Sequence, residues 1–172
     1  MENLRLEPRY DRTRISARVK EIAGELDREF ARELPALVSV LKGSSFLLAD
    51  LAREMTIPLA CEYMAVSRHA GSGEILQIDF STGFPLSRPV VLLKDVVHSG
   101  VLESYLITQL TAAGASHIRL VSILDKPAER TTDIAVDFSL FTTEGGRFAG
   151  YGMDHEGRHA NLPYIAEVYA SA

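Results

Sequence analysis

The 172-residue chain has one cysteine, Cys61, and no tryptophan. A lone thiol cannot close an internal disulfide, so nothing ties the fold to an oxidising compartment; a cytoplasmic location is expected. No run approaches the roughly 18 consecutive apolar residues that a membrane-spanning helix needs. The opening stretch MENLRLEPRYDRTR lacks the apolar centre of a signal peptide. An excess of positive charge is missing too: 18 basic against 23 acidic residues leave a net charge of -5. That balance offers no attraction to nucleic acid or anionic membrane, and neither is expected as a partner. The GxGxxG fingerprint, the Walker loop and the nucleophile elbow are absent as well.

What is present suits one globular domain. The chain is 47% hydrophobic and 24% charged, ordinary values for a soluble fold, and long enough to bury a core. A loose polar arm is expected over residues 1–13, followed by a single domain over 14–172. Ser16–Glu33 carries Val19, Ile22, Ala23, Leu26 and Phe30 on one face of an amphipathic helix. Leu37–Leu41 reads as a short strand stopped by Lys42-Gly43, and Phe46–Met55 as a helix ending before Pro58. Leu59–Val66, His117–Leu124, Ile134–Phe141 and Pro163–Tyr169 read as further strands. Residues 67–89 surround one apolar run with Gly and Pro, the composition of a mobile hairpin or flap. Helices alternating with apolar strands predict an α/β fold on a mainly parallel sheet.

Pro89–Leu106 is the most informative stretch. It predicts a buried strand over Val90–Leu93, a turn over Lys94–Gly100 and then a helix. Val101, Leu102, Tyr105, Leu106, Leu110 and Ala113 would form that helix's apolar face. A strand turning through Ser-Gly into a helix gathers free N–H groups at the positive helix end, an anion site suited to phosphate. Lys94, Asp95 and His98 fall at the carboxyl end of the strand, where open α/β sheets hold ligands. Taken singly, each signal has a plain structural reading. Such turns can be bare connections, Lys42-Gly43 a strand exit, Lys126 a solvated charge and Asp154 a turn cap. His155 and His159 are four apart but lack a third ligand, so no zinc site is expected.

In combination these segments resemble a family. VSVLKGSSFLLADL, VVLLKDVVHSGVLESYL, SILDKP, GYGMD and NLPYI occur in order along Ile15–Val168. Together they are similar to hypoxanthine-guanine phosphoribosyltransferases of the type I phosphoribosyltransferase fold. The resemblance implies a mainly parallel twisted sheet flanked by helices, with a small hood and a flexible loop. It implies transfer of a phosphoribosyl group from phosphoribosyl diphosphate to a 6-oxopurine, with magnesium as cofactor, in a homodimer or homotetramer. By the same resemblance, Lys42 and Gly43 form the pyrophosphate loop, whose peptide bond is often cis. Ser99, Gly100, Val101 and Leu102 cradle the 5′-phosphate with main-chain N–H groups, and Lys126 donates to the purine 6-oxygen. The aromatic stacked on the base falls at Arg147 or Phe148, and Asp154 holds a magnesium.

The departures fall on the chemistry. In the family pattern an acidic pair holds the ribose hydroxyls, near or through magnesium; here its members are Lys94 and Asp95. The acid that takes the purine ring proton is His98, an imidazole that could itself serve as the base. A later Thr is Leu102, an Arg that meets pyrophosphate is Ala160, and Ser67-Arg68 stands where the flexible loop carries Ser-Tyr. Two readings follow: a purine salvage transferase with an unusual site, or a nucleotide-binding homologue serving as regulator or partner subunit. A uracil-binding attenuator of the same fold is disfavoured by LDKP.

Overall fold

A computed structural model describes residues 4–69, 75–80 and 87–170. Its first element contradicts the expected loose arm: Leu4–Tyr10 is a strand, β1. It pairs antiparallel with a strand near the other end of the sequence, Leu4 opposite Ala170 and Tyr10 opposite Ile165, with an irregularity between Pro8 and Tyr10. A polar segment becomes a strand here because a partner edge satisfies its backbone groups. Tyr10 also stacks on Phe141 with ring centroids 3.8 Å apart.

Helix α1 runs Arg12–Glu29, beginning and ending four residues before the expected span. Asp11 sets the start, its carboxylate accepting from the Arg14 N–H at 2.8 Å. Ile15, Val19, Ile22, Ala23 and Leu26 form the buried stripe. Strand β2 (Ala36–Val40) is buried throughout. Helix α2 (Ser45–Glu54), β3 (Ala60–His69), β4 (Ile75–Phe80) and β5 (Val90–Val97) follow. Helix α3 (Val101–Ala112), β6 (Ile118–Asp125), a 3-10 turn at Pro127–Glu129 and β7 (Phe138–Thr142) come next. Strands β8 (Phe148–Ala149) and β9 (Ile165–Ala170) complete the order.

The main sheet has the order β4-β3-β2-β5-β6-β7. All neighbours run parallel except β3 and β4, which form an antiparallel pair at one edge. The smaller sheet, β1-β9-β8, is antiparallel and forms the hood. The flap reading for 67–89 is met in part. Ser67 and Arg68 lie within β3 and 75–80 form β4, whereas 70–74 and 81–86 fall outside the described residues.

Side chains alternate along β5 and build a core on each face. Val91 and Leu93 join α1, α2 and the hood residues Tyr151, Met153 and Ile165 in one cluster. Val90 and Leu92 join Leu106 and Leu110 of α3 in the other. The central strands therefore read as unbroken apolar runs, as a sheet covered on both faces requires. That alternation sends Lys94 toward α3 and Asp95 toward the opposite side, where the loop after β2 lies.

Candidate active site

Strand β5 reaches Val97, four residues beyond its expected end. Lys94 and Asp95 consequently sit within the strand, and the turn into α3 is only His98–Gly100. At Gly100 φ is +80°, the left-handed region that glycine enters without penalty. The turn is braced from beneath: the Thr131 N–H donates to the Ser99 carbonyl at 3.0 Å. The hydroxyls of Thr131 and Thr132 reach the same oxygen at 3.2 Å. Ser99 Oγ accepts from the Val101 N–H at 3.4 Å. The first N–H groups of a helix have no intrahelical acceptor, so the amides at the start of α3 are this turn's candidate anion donors. His98 stands exposed at the turn's lip.

The expected apolar face of α3 is met in part, since Leu102, Tyr105, Leu106 and Leu110 all pack on the α3-side core. The helix's buried residues are Glu103, Leu106 and Leu110, while Val101 is 57% exposed. Glu103 occupies a core position because it answers a charge across the gap. Lys94 Nζ lies 2.8 Å from Asp95 Oδ1 and 3.8 Å from Glu103 Oε1. The Lys94 side chain is 12% exposed and that of Glu103 5%. Ser122, the register partner of Lys94 on β6, adds a buried hydroxyl without a hydrogen-bond partner. A polar layer therefore cuts across the α3-side core at the level of the site.

The loop after β2 packs on Asp95, and the hood packs in turn on that loop. The Leu41–Lys42 peptide bond is cis, and the loop it opens brings Gly43 against the carboxylate. A Cβ on Gly43 would fall 2.2 Å from Asp95 Oδ2, so the approach admits only glycine. From the hood, a Cβ on Gly152 would fall 2.4 Å from the Gly43 carbonyl oxygen. Asp95 Oδ1 also accepts the Val96 N–H at 2.8 Å. Lys42 projects to solvent beside this contact, and Asp154 follows two residues after Gly152. Asp154 is exposed, with one oxygen accepting from the Gly157 N–H at 2.7 Å. The Ala160 carbonyl accepts from the Gly152 N–H at 2.9 Å, which fixes the same turn.

Lys126 follows β6, the strand beside β5, and is 9% exposed. Its ammonium donates to the Gly146 carbonyl at 2.7 Å and lies 3.3 Å from Glu129 Oε1. Phe148 is half-buried on β8 and packs against the main core, whereas Arg147 is exposed. Lys126 and Phe148 thus lie where β6 meets the hood. Among the described residues, no three His, Cys, Asp or Glu side chains gather to hold a metal ion.

Two sets of residues went unread in the sequence. Glu103 carries a signal, an acid three and seven positions before Leu106 and Leu110 and hence on their stripe. The Thr131 and Thr132 brace has none, since its partner is a main-chain carbonyl 32 residues away.

The amides at the start of α3, a carboxylate on β5 and a lysine at the next strand exit share the carboxyl edge of a parallel sheet. That edge is where open α/β sheets hold ligands. The model of the phosphoribosyl transferase domain matches residues 10–156, and the chain belongs to that family. Hypoxanthine-guanine phosphoribosyltransferase of Bacillus subtilis (strain 168) is 35% identical over 156 residues, covering 88% of this chain and 86% of the relative. The Streptococcus mutans protein of the same name is 29% identical, covering 91% and 89%. Among solved structures, a hypoxanthine-guanine phosphoribosyltransferase from Bacillus anthracis superposes with TM-score 0.88 at 25% identity, covering 97% and 100%.

Proposed function

We propose that the chain is a purine salvage phosphoribosyltransferase. It joins hypoxanthine or guanine to phosphoribosyl diphosphate, forming the bond from a purine ring nitrogen to ribose C1′ and breaking that from C1′ to pyrophosphate. The observation that carries this reading is the meeting of Gly43, Asp95 and Gly152 beside the Ser99–Leu102 turn. It supports the reading because the residues expected to serve as pyrophosphate loop and ribose carboxylate touch each other next to the turn expected to hold the phosphate. The fixed amides receive the 5′-phosphate, and Asp95 accepts from a ribose hydroxyl. Lys126 exchanges its Gly146 carbonyl for the purine 6-oxygen, with Phe148 as the nearby aromatic. His98, exposed above the turn, takes the ring proton as the new bond forms. Asp154 suits a magnesium ion carried by the diphosphate, because magnesium is commonly held by one or two carboxylates plus substrate phosphates. Bound there, the ion would offset charge on the departing pyrophosphate.

Incubating the purified chain with hypoxanthine or guanine, phosphoribosyl diphosphate and magnesium tests the proposal. Nucleotide should form, and His98→Ala should lower kcat by roughly 10²–10⁴. Tight binding of the nucleotide monophosphate with no turnover would favour the regulator instead. The reading carries a cytoplasmic homodimer or homotetramer, the assembly being open to light scattering. No described helix is long and apolar enough to cross a membrane.

A further inference from the structure

Lys94 and Glu103 together make a site that the family pattern does not contain. In that pattern the acidic pair at the end of β5 meets the ribose hydroxyls near or through a cation. Here the first position is an ammonium, and the second, Asp95, is already engaged by it at 2.8 Å. Glu103 approaches the same ammonium at 3.8 Å from the first turn of α3. Burying a charge is unfavourable unless an opposite charge accompanies it. A 4% exposed carboxylate on the apolar stripe of α3 is therefore explained by Lys94 and by nothing else in its stripe. These residues do not fit a ribose-side magnesium ion. Such an ion would have to strip Asp95 from Lys94 and then sit beside the displaced ammonium.

We propose that the Lys94 ammonium, held in place by Glu103, is a built-in replacement for the ribose-side metal ion. An ammonium has three N–H donors. Asp95 lies within hydrogen-bond distance at 2.8 Å and Glu103 only at ion-pair distance, 3.8 Å, which leaves donor capacity for a ribose hydroxyl. Lys94 then supplies the positive charge next to the sugar, and Asp95 remains oriented without a metal. Glu103 acts through Lys94 and is a positioning residue. The enzyme uses a single metal ion, the one on the diphosphate at Asp154. This inference rests on the phosphoribosyltransferase reading, since it assumes that phosphoribosyl diphosphate occupies the site.

The test counts metal ions in a complex that cannot turn over. The full chain is saturated with phosphoribosyl diphosphate, without purine, and dialysed against Mn²⁺ as the probe. One Mn²⁺ per chain is expected. In Lys94→Glu combined with Glu103→Leu, which restores an acidic pair and removes the stranded carboxylate, the count should rise to two. Two ions in the unaltered chain would overturn the proposal, as would a count of one in a folded double variant. The unaltered chain decides the matter if the double variant does not fold. Calorimetry with phosphoribosyl diphosphate separates the two levels. Failure to bind removes the transferase reading and this inference with it. Binding with two ions overturns the inference alone.

Discussion

At Gly100 a Cβ would lie 2.4 Å from Thr132 Oγ1 and 2.5 Å from Ile134 Cγ2. The threonine hydroxyl could rotate aside, but Ile134 packs against the α3-side core and cannot. The positive φ adds strain of about 1–3 kcal/mol for any residue with a side chain. Gly100→Ala is therefore expected to lower Tm and to lift the turn away from its Ser99 braces. Affinity for phosphoribosyl diphosphate, measured by calorimetry, should fall at least about tenfold, equivalent to about 1.4 kcal/mol. A variant that loses stability yet keeps full affinity would mean that these amides do not hold the phosphate. Arg130 supports the same region: it pairs with Asp125 and donates to the Ile134 carbonyl at 3.2 Å. The loop under the turn is thus tied to the end of β6.

An ion cluster links the hood's edge strand β1 to its central strand β9. Arg9 on β1 donates to Glu167 on β9 at 2.8 Å and to the Tyr169 hydroxyl at 2.8 Å. The Tyr169 hydroxyl, and after it Arg9, hold the Glu167 carboxyl below its ordinary range. A carboxylate so depressed stabilises the fold above its unfolded value of about 4.3, and that contribution is lost as pH falls below it. Amide exchange in β1 and β9 should therefore quicken on acidification before β5 and β6 respond. Glu167→Gln should flatten that acid dependence, and an unchanged profile would exclude the cluster as its source. Legibility in the sequence follows the same division between local and distant partners. β2, β5 and β6 were readable because burial on both faces leaves unbroken apolar runs. β1 was not, since LRLEPRY has no apolar run and is a strand only through β9. Lys94 and Asp95 read as a turn because charges at a strand end imitate one. The burial of Glu103 on α3 was hidden because its partner, Lys94, is on another element. The Ser99–Leu102 turn and Lys126 were legible as a family pattern, whereas the braces under that turn were not.

The hood is joined to the main sheet by packing and by polar contacts, among them a part-buried hydrogen bond from Tyr151. Tyr151, Met153 and Ile165 belong to the same core as α1 and α2. The Tyr151 hydroxyl donates to Asp50 of α2 at 2.7 Å, and its ring meets Phe46 edge-on with centroids 6.2 Å apart. A shared core makes separate melting of hood and sheet unfavourable, so thermal unfolding should be one cooperative transition. This also tests the expectation of a single domain, because two calorimetric transitions would contradict it. Burial, reinforced by Asp50, pushes the Tyr151 phenol well above its ordinary value. The unfolded chain would ionise this phenol near pH 10, while the folded chain retains the proton. Stability from this group is accordingly complete below about pH 10 and declines as pH rises beyond it. Tyr151→Phe removes both the hydrogen bond and the titration. It should cost about 0.5–1.5 kcal/mol at neutral pH and make the fall in Tm between pH 9 and 11 shallower. An equally steep alkaline fall in the variant would assign that loss to other groups and leave the Tyr151–Asp50 contact without a part in joining hood to sheet.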